Sequence, residues 1–193
     1  MFFRNLKPKP DQAFETTPVH VMLPVHLSSQ DAAAAFAEPF GRQLAAASLG
    51  HVTDAQTRKT PLGVSEGYDL FIALRRTDDE TLSDVIRMLE HLGAPKGSTL
   101  RLVDGSMSRP FGRAVGMEIS VDARPGTHDT RVRRLSRACS EVVGDVAMLQ
   151  GSVTLQDRIS FYFYGVDFET MREGLAERMR NHPLLSGATL RKL

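Results

Sequence analysis

Six histidines, one cysteine and a run of arginines are the residues here whose chemistry might be put to use, and their spacing decides how much of it is realised. His20 and His26 fall on one face of the alternating stretch VHVMLPVHL. Six residues of extended chain hold them roughly 20 Å apart, too far to grip one ion. His51, His91, His128 and His182 stand near predicted element ends without ligand spacing, so no metal site is expected. Cys139 lies on the apolar stripe of a predicted helix and reads as a small buried hydrophobe. GAPKGS (93–98) has the composition of a phosphate loop in the wrong order. Lys96 precedes Gly97 and a strand follows, so a helix-ending turn at Gly93 is the better reading. Gly-x-Ser-x-Gly, paired carboxylates and other nucleophile–base signatures are missing from the sequence, and neither a catalytic residue nor a cofactor is predicted.

Two patterns point to binding instead. TRVRRLSRA sets Arg131, Arg133, Arg134 and Arg137 on the polar side of one helix, with Arg137 and Glu141 spaced for an i,i+4 pair. A solvated helix face explains this run. With Arg109 and Arg113, Arg131 and Arg134 also form a candidate patch for an acidic partner or phosphates. Net charge is +1; residues 1–104 carry 11 basic and 13 acidic side chains, and residues 105–193 carry 13 and 10. Neither half has the basic excess of a dedicated nucleic-acid domain.

The second pattern is aromatic. In RISFYFYGV, Ile159, Phe161 and Phe163 take one face of a strand and Ser160, Tyr162 and Tyr164 the other. On YDLFIALRR the face opposite Leu70, Ile72 and Leu74 carries Asp69, Phe71, Ala73 and Arg75. Such faces are too apolar to stand bare in water. Either the two sheets stack or join edge to edge and hide them, or Tyr162, Tyr164, Phe71 and Arg75 line a partner-binding surface. The tyrosine strand is similar to the aromatic strand of RNA-recognition domains, but Ile159 and Ser160 replace the Gly-aromatic opening, so nucleic acid is not favoured.

The elements that position these residues repeat. A strand over 19–27 either ends near Leu23 or exposes the side of Pro24, and a helix follows, capped at Ser28, Ser29 or Asp31, split at Pro39 as the first-turn proline of a second helix and stopped by Gly50. Strands at 51–57 and 68–76 precede a helix whose entrance, with Thr77 and Glu80, fits a capping box, and whose buried stripe is Leu82, Ile86 and Leu89. A strand at 99–103 closes the set. The order β-α-β-β-α-β then recurs from residue 115. At an offset of 89, Leu70, Ile72 and Leu74 fall on Ile159, Phe161 and Phe163; at 90, Thr99-Leu100-Arg101 falls on Thr189-Leu190-Arg191. The fold class is therefore α+β, a tandem duplication of the ferredoxin-like unit with antiparallel sheets. Residues 1–18 form an arm, 19–104 the first unit, 105–114 a linker and 115–193 the second unit.

Residues 49–102 resemble a bacterial family of immunity-type proteins from toxin systems. Leu49-Gly50-His51-Val52 matches the family's Leu-Gly-x-Val strand, and Gly93-Ala94-Pro95-Lys96-Gly97-Ser98 its helix-ending turn. Asp54-Ala55-Gln56-Thr57 departs from the family's glycine run, and the strand at 68–76 is less acidic. The resemblance covers about a quarter of the chain and transfers no catalytic residue. It implies a non-enzymatic protein that binds and masks a toxin. An enzyme or small-molecule sensor with a pocket between the units is the alternative, and nucleic-acid binding through the Arg-rich helix (Arg131–Arg137) the second alternative; a second copy of the chain is a further candidate partner. No apolar run approaches the ~20 residues of a membrane span, residues 1–18 lack the core of a secretion signal, and a lone cysteine makes no internal disulfide, so the expected compartment is the cytoplasm.

Overall fold

The computed structural model describes residues 15–61, 63–122, 129–144, 147–154, 158–185 and 187–193; of the predicted arm only residues 15–18 are among them. The elements run β1 (Thr17–Leu23), α1 (Ser29–Ala32), a π turn (Ala33–Ala37), α2 (Glu38–Ala46), β2 (Gly50–Lys59), β3 (Ser65–Leu74), α3 (Asp79–His91), β4 (Ser98–Leu102) and β5 (Ser108–Phe111), then β6 (Val115–Asp122), α4 (Asp129–Val143), β7 (Ala147–Thr154), β8 (Arg158–Gly165), α5 (Phe168–Asn181) and β9 (Thr189–Lys192). The first sheet has strand order β2-β3-β1-β4-β5 and the second β7-β8-β6-β9, with antiparallel neighbours throughout. Without β5 the two orders are the same, so the chain is two ferredoxin-like units in tandem.

In the first unit Val19, Val21, Leu23, Leu70, Ile72 and Leu74 pack against Phe36, Phe40, Leu44, Leu82, Val85 and Leu89 of the helices. In the second, Ile119, Phe161 and Phe163 meet Leu135, Cys139, Val142, Met171 and Leu175. Each such fully buried aliphatic or aromatic side chain contributes about 1.5–3 kcal/mol of transfer free energy. Val85 holds the centre of the α3 stripe, and Ile86 is only half-buried.

Local chemistry sets the boundaries, in three places differently from the expectation. The helix entrances at α3 and α5 are capped by Asp78 and Asp167, whose carboxylates accept the N–H of Thr81 and Thr170 at 2.9 Å each. Thr77 is not the α3 cap. Because those hydrogen bonds favour the charged form, both carboxyls titrate below the usual aspartate range. Pro39 stands in the first turn of α2, as expected, and the preceding π turn, in which Glu38 N–H reaches Ala33 O, accommodates a residue that lacks an N–H. Gly50 opens β2 instead of stopping the helix. The stop is Ser48 at φ 55°, with Leu49 N–H on Leu44 O and Ser48 N–H on Ala45 O. Gly93 at φ 87° ends α3 with the same pair of bonds, as GAPKGS predicts. Finally, the stretch 105–114 read as a linker contributes β5, which lengthens the first sheet beyond β4.

Candidate functional site

β8 turns Tyr162 and Tyr164 away from α4 and α5, and that side of the second sheet lands on the first unit. The two tyrosines are 5% and 4% exposed and belong to the first unit's core cluster, beside Val25 and Leu27. Tyr164 Oη accepts the His26 backbone N–H at 3.3 Å, and the Tyr162 ring lies 6.0 Å from the His26 ring. Gln150 Nε2 donates to Leu92 O across the same seam, at 3.3 Å. Gly151 admits the close approach, since a Cβ there would stand 2.8 Å from Asp31 Cβ. The seam therefore packs a sheet on α1, the 24–28 loop and the end of α3; the sheets neither stack nor join edge to edge. Burial raises both phenol pKa values and, with Arg191 nearby, lowers that of His26.

Both sheet faces turned away from the helices carry a polar ladder built on the duplicated register. In the first unit His20 on β1 is flanked by Phe71 on β3 and Arg101 on β4. In the second, Glu118 on β6 is flanked by Tyr162 on β8 and Arg191 on β9. Arg101 Nε donates to His20 Nδ1 at 3.1 Å, which leaves the ring proton on Nε2, 3.4 Å from Asp69 Oδ1; Arg58 Nε lies 3.4 Å from the other Asp69 oxygen. Only Nδ1 of the His20 ring makes a hydrogen bond, Nε2 having just the long approach to Asp69, and burial lowers its pKa. Glu118 Oε1 accepts Ser160 Oγ at 2.5 Å and Ser120 Oγ at 2.9 Å, and Oε2 accepts Arg191 Nε at 2.7 Å. Burial opposes that charge, but the hydroxyl and guanidinium hydrogen bonds outweigh it and hold the carboxyl below the glutamate range. These ladders were not picked out from sequence. The alternation that places His20, Asp69 and Glu118 off the helical face was the available signal.

Beside the seam the units part to form a groove. Two hollows of about 460 and 640 Å³ share Gly93, Met148 and Tyr164. The first extends toward Asp31, Ala34 and Gln150, the second toward Glu90, Arg113 and Val166. Met148 and Val166 are 67% and 86% exposed at its lip. Arg113 Nε meets Glu90 Oε2 at 2.8 Å, and Glu90 Oε1 accepts the Gly112 N–H.

The predicted site residues are dispersed. Tyr162 and Tyr164 lie in the seam, whereas Phe71 is half-buried on the first sheet, stacked on His20 with ring centroids 4.6 Å apart. Arg75 is exposed just past β3, its N–H on Leu49 O. Arg109 pairs with Asp79 at the start of α3 and Arg113 with Glu90 near its end, while Arg134 is exposed on α4. The side chain of Arg131 lies outside the described residues, as does His128. Arg137 makes its expected pair with Glu141 at 3.0 Å. Cys139 is fully buried and its thiol is pushed up to about 12. Among the described residues no group of three or more His, Cys, Asp or Glu could hold a metal, and no helix is long and apolar enough to cross a membrane.

No family model matches the chain, and no curated protein matches it. Solved structures that align with it include the ligand-free regulatory subunit of aspartate kinase from Thermus thermophilus, at 13% identity over 86% of this chain and 93% of that one, with a TM-score of 0.30. An unknown protein from Galdieria sulphuraria aligns at 10% identity, 92% and 98% coverage and 0.30. The first two RRM domains of a yeast poly(U) binding protein align at 7% identity, 90% and 98% coverage and 0.26. At such scores these alignments carry no functional argument; the ferredoxin-like assignment stands on strand order and register.

Proposed function

We propose that this chain works by binding another protein, and that the groove between its units is the docking site. The carrying observation is the lip of that groove, where Met148 and Val166 are exposed next to the Arg113–Glu90 pair. Apolar side chains in the open, rimmed by polar groups, are the usual mark of a partner surface. The finer reading, an immunity protein that masks a bacterial toxin, is supported by the resemblance over residues 49–102. That segment's GAPKGS turn also supplies Gly93 to the groove. Co-purification with the product of the neighbouring gene tests the reading. A toxin-like product should be captured, and Val166→Arg should weaken capture by at least about tenfold, as loss of an interface anchor does. Capture that is absent, or indifferent to Val166→Arg, removes the groove as the docking site.

A second reading places a small molecule in the same groove. Its support is Gln150, which lines the inner hollow and whose Oε1 is buried without a hydrogen-bond partner among the described residues. A metabolite panel read by melting temperature separates the two readings, because a ligand that binds only the folded chain raises its melting point.

A further inference from the structure

Among the described residues the two sheets end in four edge strands, and three of them are blunted. β2 carries Asp54, Arg58 and Lys59. β5 has four residues including Arg109 and Pro110, and β9 has four including Arg191 and Lys192. β7 differs. Its eight residues, AMLQGSVT, hold neither a charge nor a proline, and among the described residues it is paired on one side only, to β8. Long uncharged edges are where other strands add, and chains that must stay single protect them. α1 does not protect this one, because Asp31 sits over Gly151 on the sheet face and not along the outer edge.

We infer that β7 is a self-association edge, pairing antiparallel with β7 of a second copy to join the two four-stranded sheets into one of eight strands. The occupant follows from the strand's own pattern. The irregularity between Leu149 and Gly151 puts Met148, Gly151 and Val153 on one face, aligned with Tyr164, Tyr162 and Ser160 of β8. A two-fold axis normal to the sheet, passing between Gln150 and Gly151, then sets Met148 of each copy opposite Val153 of the other, with Leu149 opposite Ser152 and Ala147 opposite Thr154. Every one of those flanking pairs shares a face and none sets like charges together. On a regular strand that centre would pair residues of opposite faces, so the bulge makes the edge self-complementary. Such an interface is isologous and closes at two copies. It covers Met148, which stands 67% exposed in the single chain.

Sedimentation equilibrium of the full chain, from low to high micromolar concentration, tests this. The chain should dimerise, and Met148→Lys with Thr154→Lys should weaken dimerisation by at least about tenfold, because each paired edge must then bury ammonium groups. Both sites are exposed, so the fold should survive. As a second measurement, Met148→Cys combined with Val153→Cys sets thiols opposite one another across the two copies and should trap a covalent dimer under mild oxidation. Ser108→Cys on β5 should not, and buried Cys139 stays silent. A chain that is monomeric throughout overturns the inference, as does a dimer that keeps its affinity with both lysines. A monomer that loses captured partner on the lysine changes would reassign the edge to a foreign strand. Val166 lies off this edge, so the groove reading and the dimer can fail separately.

Discussion

The sheet faces of the two units show what a duplication keeps and what it releases. Each has a polar residue on its central strand, an aromatic beside it on one neighbour and an arginine on the other: His20, Phe71 and Arg101 in the first, Glu118, Tyr162 and Arg191 in the second. The slots are retained because register is retained. Their fates differ because the second face is covered by the first unit, while no described element lies over Phe71. Tyr162 and Tyr164 have accordingly become core, joined to a cluster centred on the other unit. Phe71 has remained a half-exposed lid on a histidine.

The largest test of that contrast removes one aromatic from each face. Tyr164→Ala should cost about 3–5 kcal/mol, as other large buried aromatics do, and Phe71→Ala about 1 kcal/mol, since much of its ring is already wet. Urea denaturation of the two variants checks this; equal costs would erase the distinction between the faces.

The ladders should differ in their response to pH. Glu118 titrates below its ordinary value of 4.5, so its stabilisation is present above that pH and is lost as pH falls through the folded-state value. Glu118→Gln should therefore destabilise the chain by about 1–3 kcal/mol near neutrality, and the gap from wild type should shrink in acid. His20 gives the same sign in a higher pH window. Its folded pKa lies below 6.5, so the unfolded chain binds the proton more readily, and stability falls as pH drops below 6.5. His20→Gln should flatten that part of the stability curve.

The smallest effects are at the helix ends. Ser48 and Gly93 occupy the same left-handed position in the same hydrogen-bonded stop. Ser48→Gly should gain roughly 0.5–1 kcal/mol and Gly93→Ala should lose a similar amount, because only glycine takes that conformation without strain. Thermal melts of the two variants should move in opposite directions.

Much of the architecture could be read in the residues. Alternation at 68–74 and 158–164 and the shared Asp-x-Glu-Thr entrances locate both units, and the Thr-Leu-Arg repeat already aligns Arg101 with Arg191. The features that escaped reading are tertiary. Ser48 ends a helix by adopting a conformation that serine seldom takes, and β5 is too short and too broken by Pro110 to show as a strand. The covering of Tyr162 and Tyr164 depends on where the 24–28 loop and residues 91–94 come to rest, which periodicity does not encode. The groove was legible only as an expectation that a pocket would lie between the units. Its lip residues, Met148 and Val166, look from sequence like any strand-end hydrophobes.

The seam between the units creates the groove, so the most direct test is a nuclear Overhauser contact across it. The rings of His26 and Tyr162, with centroids 6.0 Å apart, should share a cross-peak, and the His26 amide held by Tyr164 should exchange slowly with solvent. Rings without a cross-peak, together with a fast-exchanging His26 amide, would mean that the second sheet does not rest on the first unit.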